Sequence, residues 1–191
     1  MHPRRRPLRP RWKRPSSLTR PRADGRPGDG QRSPDPSSAA PPEETAPELS
    51  TSQAQAVRQA ENYLAFQAFS RLGLVGQLEY EGFSTEDATF AVDALDTDWM
   101  AQAVTKAGSY LEFQAFSEKG LTEQLEYEKF TAEEAAHGVA TVDVDWMEQA
   151  ALKAKSYMDY DAFSRSGLID QLTFEGFSSE QAAHGADSVG L

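Results

Sequence analysis

Residues 54–100 read AQAVRQAENYLAFQAFSRLGLVGQLEYEGFSTEDATFAVDALDTDWM, and residues 101–147 read AQAVTKAGSYLEFQAFSEKGLTEQLEYEKFTAEEAAHGVATVDVDWM; 27 of the 47 positions are identical. A third copy runs on to residue 191. Tyr63, Tyr110 and Tyr157 recur at this spacing, as do Phe69, Phe116 and Phe163, Gly73, Gly120 and Gly167, and Gln77, Gln124 and Gln171. Self-similarity at a fixed period is the signature of a repeat array. Tandem copies build binding or scaffold surfaces, and an active site is seldom written three times, so the expectation is a protein that is not an enzyme.

Each copy reads as short helices joined by tight turns. A first helix over about Thr51 to Leu64 carries Val57, Ala60 and Leu64 at i, i+3 and i+7, one face of an α-helix. Residues 65–69 read as a turn holding Phe66 and Phe69. Ser70 suits the N-cap of a second helix that runs to about Glu81, with Leu74 and Leu78 inward and Tyr80 or Glu81 at the edge. Gly82 and Gly176 stand where a helix ends in the left-handed region; Lys129 replaces them in the middle copy, which predicts a strained turn there. A third helix opens with a capping box in every copy, Ser84 with Asp87, Thr131 with Glu134 and Ser178 with Gln181, preceded by Phe83, Phe130 or Phe177 as a hydrophobic staple. No run alternates with period 2 for long enough to argue a strand. The fold class is all-α: a tandem array of three helical repeats of about 47 residues, each a helix-turn-helix-like or three-helix unit. The divisions fall at 1–50, 51–98, 99–145 and 146–191.

Asp96-Thr97-Asp98-Trp99-Met100 and Asp143-Val144-Asp145-Trp146-Met147 join successive copies. Asp-x-Asp can ligate a divalent cation, but a calcium loop needs five or more oxygens and a glycine turn, and neither is written here. The reading adopted is structural: Asp98 and Asp145 cap the next helix, and Trp99 and Trp146 pack across the joint.

Composition divides the chain. Residues 1–50 hold all 11 prolines and carry 11 Lys and Arg against 6 Asp and Glu, a net of +5; residues 51–191 carry 8 against 24, a net of −16. The first segment has too few large apolar residues to offset its ordering entropy and is read as a disordered Arg- and Pro-rich tail and spacer. There is no cysteine, hence no disulfide and no thiolate ligand or nucleophile. No stretch approaches the length of a membrane span. His137 and His184 occupy equivalent positions with Phe90 in the first copy, which suggests a half-buried face rather than a metal site. Ser70, Ser117 and Ser164 lack a histidine base in every copy and are explained as caps. No cofactor and no metal is expected. Two sets remain as candidate partner-binding residues: the aromatics Phe66, Phe69, Phe113, Phe116, Tyr160 and Phe163, and the acids Glu79, Glu126 and Glu128.

The pattern Ala-x-x-Tyr-Leu-x-Phe-x-Ala-Phe-Ser-x-x-Gly-Leu-x-x-Gln-Leu-x-Tyr-Glu-x-Phe, followed by Ser/Thr-x-Glu-x-Ala and the Asp-x-Asp-Trp joint, resembles the repeat of the Ltp-like host cell surface-exposed lipoproteins over residues 54–191. The resemblance implies a helical tandem array displayed outside a bacterial cell on a lipid anchor, without catalytic residues. Best-known members are prophage-encoded and block DNA injection by a second phage. A protein of a phage or of the cell envelope is the partner it implies. The chain departs from the pattern at its start, where neither the apolar core of a signal peptide nor a lipid-bearing cysteine is written. Surface display is therefore the expectation from resemblance, with the cytoplasm left open. The rival reading is a helix-turn-helix nucleic-acid binder using the tail run Arg4-Arg5-Arg6 to Arg14 on phosphate; the acidic stretch Glu123 to Glu128 opposes it, because a reading helix should be basic.

Overall fold

The computed structural model describes residues 49–191; the tail and its basic run lie, up to residue 48, outside the described residues. Within them are nine α-helices: α1 (Thr51–Phe66), α2 (Arg71–Tyr80), α3 (Thr85–Asp93), α4 (Trp99–Phe113), α5 (Glu118–Tyr127), α6 (Ala132–Thr141), α7 (Trp146–Tyr160), α8 (Arg165–Phe174) and α9 (Ser179–Ser188). They form three units of three helices, one per sequence copy, and each unit has its own apolar core.

Alanine sets the geometry of a unit. Ala56 and Ala60 on α1 face Ala88 and Ala91 on α3, and all four are fully buried. Small faces let the two backbones come close. In the later copies the approach is tighter: a Cβ on Gly138 of α6 would lie 2.9 Å from the Ala103 carbonyl oxygen of α4, and one on Gly185 of α9 would lie 2.8 Å from that of Ala150. The second helix crosses this pair and closes the core with two leucines per copy, Leu74 and Leu78, Leu121 and Leu125, Leu168 and Leu172, all fully buried. Each contributes about 1.5–3 kcal/mol by area removed from water.

Caps delimit the helices. Ser70, Ser117 and Ser164 accept from the amides of Gly73, Gly120 and Gly167 at 2.9, 3.0 and 3.2 Å. Asp98 accepts from the amide of Ala101, and Asp145 from those of Met147 and Glu148. The third helix carries the full capping box in copies two and three. In copy one Ser84 still accepts from the amide of Asp87, but the box is not closed; the shorter Asp87 side chain accepts instead from the Ser52 hydroxyl at 2.5 Å. A box not expected, Ser50 with Gln53, opens α1. The first helix also runs two residues past Leu64, so Phe66 is helical rather than in a turn. Lys129 takes φ 68°, beside 97° for Gly82 and 94° for Gly176.

Copies meet through a few side chains rather than through long helix contacts. Trp99 at the start of α4 packs on the core of copy one, and Trp146 on that of copy two. The buried Ser70 hydroxyl, while capping α2, donates to the Glu128 carbonyl at 2.5 Å; Ser117 does the same to Glu175. A hydroxyl can donate and accept at once, so one atom closes a helix and a joint. Gln102 and Gln149 add side-chain acceptors for the amides of Phe69 and Phe116, both at 3.3 Å. The two joints are filled differently. At the first, the Lys129 ammonium overlies Gly76, 3.1 Å from where a Cβ would stand; at the second, Lys119 crowds Gly176, 2.8 Å from its Cβ position.

Two outcomes follow for thermal and denaturant unfolding. Lys129→Gly relieves a left-handed lysine that costs about 1–2 kcal/mol and loses part of that gain to the looser unfolded chain, for a net stabilisation of roughly 0.5–1 kcal/mol; no gain would mean that the turn is unstrained. Ser117→Ala removes a cap worth about 1 kcal/mol and leaves the part-buried Glu175 carbonyl without its donor for about 1 more. Ser164→Ala removes the cap and an exposed contact with the Ser166 hydroxyl but no joint, so equal losses in the two variants would contradict the double role of Ser117.

Candidate docking surface

Helix periodicity decides which aromatics are inside. Tyr63 lies seven residues after Ala56, close to two full turns, and so returns to the core face. Phe66 lies six after Ala60, about 240° around the helix, and is 89 % exposed. Its equivalents Phe113 and Tyr160 are 86 % and 90 % exposed. On the second helix Tyr80 follows Leu78 by two residues, about 200° away; Tyr80, Tyr127 and Phe174 are 88, 82 and 83 % exposed. Each copy thus ends its first and its second helix on an aromatic ring held in solvent.

Five of the six rings, all but Tyr160, line clefts at the joints. Phe66 and Phe113 line one cleft of about 300 Å³ with Ala68, Lys106, Ser109 and Tyr110. Tyr80 and Tyr127 line another, of about 550 Å³, over Gly73, Gly76, Glu128 and Lys129. At the second joint, Phe113 lines a cleft with Leu152 and Lys153, and Phe174 one with Phe116, Lys119, Gly120 and Glu175. Carboxylates adjoin the rings in sequence: Glu79 and Glu81 flank Tyr80, Glu126 and Glu128 flank Tyr127, and Asp159 and Asp161 flank Tyr160.

Beneath the clefts each copy fixes its tyrosine in the same way. Tyr63, Tyr110 and Tyr157 donate to Glu81, Glu128 and Glu175. They accept from Gln77, Gln124 and Gln171 at 3.1, 3.2 and 3.0 Å. Their rings meet Phe69, Phe116 and Phe163 edge to face at 5.5, 5.8 and 5.6 Å. Burial, and then the hydrogen bond to Glu128, push the Tyr110 hydroxyl up from 10.0 to about 12. Both causes oppose an anionic ring, the first by desolvation and the second by placing a carboxylate at the oxygen.

Three corrections concern the sequence-derived candidates. Phe69, Phe116 and Phe163 belong to the edge of the cores, packed against them and their tyrosines, and are not part of an exposed strip. Glu128 is engaged inside the chain, by Tyr110 at 2.6 Å and Lys106 at 3.3 Å; Glu79 accepts from Thr85 at 2.5 Å, while Glu126 is exposed. His137 and His184 are exposed, so the face they share with Phe90 is not half-buried there. Tyr80, Tyr127 and Phe174 were not among the candidates, although their offset from the Leu74–Leu78 stripe is readable on a helical wheel. Among the described residues no three His, Asp or Glu side chains converge as metal ligands would, and no helix is long and apolar enough to cross a membrane.

The shifted hydroxyl has a consequence at alkaline pH. Between pH 10.0 and about 12 the folded chain keeps the Tyr110 proton that the unfolded chain releases, so this group's contribution to stability falls as pH rises through that window. Ultraviolet titration should show a tyrosine ionisation near pH 12 that is missing in Tyr110→Phe. An unchanged curve in the variant would contradict the assignment.

The units coincide with a known repeat. The family model of the Ltp host cell surface-exposed lipoproteins matches three times, over residues 51–95, 98–142 and 145–189. The second and third matches begin on the capping residues Asp98 and Asp145, and all three end just past a third helix. No curated protein and no solved structure matches the chain. With three tandem matches across nearly all of the described residues, the chain belongs to the host cell surface-exposed lipoprotein family.

Proposed function

We propose that the chain is a non-enzymatic binding module that docks a protein partner with a basic surface through its exposed aromatic rings, and that it does so at the outside of a cell. The observation that carries this reading is the set of six large aromatic side chains held 82 to 90 % exposed, two per copy, five of which line clefts at the joints. Folding does not need them there, because rings so exposed bury little apolar area. Large exposed apolar groups gathered in patches mark interaction sites, and aromatic residues are enriched among the side chains that dominate protein interfaces.

Charge selects the partner. The repeats carry 8 basic against 24 acidic side chains, so a basic surface is steered toward them and an acidic one, including a phosphate backbone, is repelled. Three copies on one scaffold allow weak contacts to add by effective concentration. For a surface-displayed member of this family the partner to examine first is a phage or cell-envelope protein, with exclusion of a second phage as the outcome in the cell.

The test replaces Phe66, Tyr80, Phe113, Tyr127, Tyr160 and Phe174 with serine in the full chain. Exposed positions tolerate such changes within about 0.5 kcal/mol each, so helicity and unfolding midpoint should hold nearly steady. Co-sedimentation with phage particles or envelope fractions should fall about tenfold or more, and wild-type retention should weaken with added salt. Retention equal for wild type and variant, or insensitive to salt, would defeat the proposal.

A further inference from the structure

The three copies complete the tyrosine–carboxylate pair differently. In copy two the Lys106 ammonium lies 3.3 Å from the Glu128 carboxylate, 5.4 Å from the centre of the Tyr110 ring and 6.0 Å from that of Phe69 in the preceding copy. In copy three Lys153 lies 2.8 Å from Glu175 and 5.7 Å from the Tyr157 ring. A cation placed between a carboxylate and an aromatic face gains from both. Forty-seven residues before Lys106 stands Gln59. The rest of the arrangement is retained in copy one: Tyr63 donates to Glu81, Gln77 donates to Tyr63, and Phe69 meets the ring edge-on. Glu81 is exposed where Glu128 and Glu175 are half-buried beneath their lysines, and none of the ion pairs among the described residues includes it.

The same face also shows an acceptor without its donor. Gln102 and Gln149 receive a backbone amide from the preceding copy. Their counterpart Gln55 is exposed, one turn before Gln59 on the same side of α1. The carbonyls of Glu128 and Glu175 receive a serine hydroxyl, and none of the hydrogen bonds among the described residues brings one to the Glu81 carbonyl. Copy one therefore presents the receiving half of a joint with its cation missing.

We propose that Tyr63 and Glu81 bind the ammonium group of a lysine side chain contributed by a partner protein, with Gln55 accepting from the backbone of the same segment. The occupant follows from the other two copies, where an ammonium on a flexible alkyl stem fills the equivalent place; a peptide carrying lysine offers the same group together with a backbone N–H. The site gives the basic partner of the proposed function an anchoring point and rests on that reading only for which protein supplies the lysine.

The experiment titrates the full chain with the capped peptide Gly-Lys-Gly and follows two-dimensional NMR spectra. Saturable shifts are expected at Tyr63, Gln55 and the Gln59 side-chain amide, with a dissociation constant on the order of 1 mM, as befits a single exposed contact. The same peptide with its lysine acetylated should give none. Gln59→Lys fills the site from within and should abolish the shifts while leaving the rest of the spectrum folded. Glu81→Gln should weaken binding about fivefold or more, and Glu79→Gln should not. Shifts that are absent, that centre on other acidic residues, or that persist in Gln59→Lys would overturn the site. None of these readouts uses the partner, so the site can fail while the docking surface stands, and the reverse.

Discussion

The close approach of the first and third helix in each copy governs the rest of the molecule. Ala56, Ala60, Ala88 and Ala91 meet with no side chain beyond a methyl, and Gly138 and Gly185 remove even that on one side of the later pairs. A core built this way is thin. Two leucines from the second helix fill it, joined in the later copies by Phe130 and Phe177 ahead of the third helix, 4 % and 3 % exposed. The aromatic residues of the first two helices and of the turn between them lie at its margin or outside it. Tyr63, Phe69 and their counterparts take the margin, locked by a carboxylate and an amide. Phe66, Tyr80 and theirs lie outside. Their phase on the helices, pointing away from the buried stripe, explains why they are not buried. It does not explain why all six positions are aromatic, since a polar residue would fold as well at each; that surplus is the argument for a docking role.

Joints this small succeed because each contact serves twice. Ser70 and Ser117 close a helix and a joint with one hydroxyl, and Lys106 neutralises Glu128 while covering a ring of the preceding copy. Lys129 over Gly76 at the first joint and Lys119 against Gly176 at the second make the two joints sterically distinct. Repeat arrays of this kind draw stability from each unit and from nearest-neighbour contacts, with little beyond. The clefts that hold the exposed rings are the visible side of these joints, so surface and scaffold share residues such as Tyr110, Glu128 and Lys129.

Much of this was legible in the sequence because the repeat supplies its own comparison. Setting Lys129 against Gly82 and Gly176 locates a left-handed position and its one strained occupant. Serine, threonine and aspartate before helical runs give the caps, and the all-α class follows from period and turn chemistry. What the sequence hides is tertiary. Whether Phe66 or Phe69 is buried depends on α1 continuing two residues beyond Leu64, and no breaker marks that end. The Ser70 and Gln102 contacts across the joint are invisible because Ser164 and Gln55 carry the same residue types without a neighbour to meet. Glu81, Glu128 and Glu175 are identical in sequence yet unequal in structure, since only the latter two lie under a lysine.

That inequality gives the array a direction. The positions that are alike in all three copies build the core and the tyrosine clamp, and a change there would be felt three times over. Among the positions that differ, Gln59 against Lys106 and Lys153 and Ser52 against Trp99 and Trp146 add to the contacts by which one copy receives the copy before it. Copy one has Ser52 and Gln59 in place of the tryptophan and the lysine, together with Gln55, Tyr63 and Glu81. Another unit of the same kind would find no apolar anchor and no cation there, only polar acceptors. A hydrophobic partner surface has little to gain at such a face, whereas a lysine can satisfy a carboxylate that is already oriented by Tyr63 and needs no further ordering to bind. The polar receiving face of copy one and the aromatic clefts at the joints are thus chemically distinct, and a single basic partner that carries both apolar groups and lysine could engage the two together.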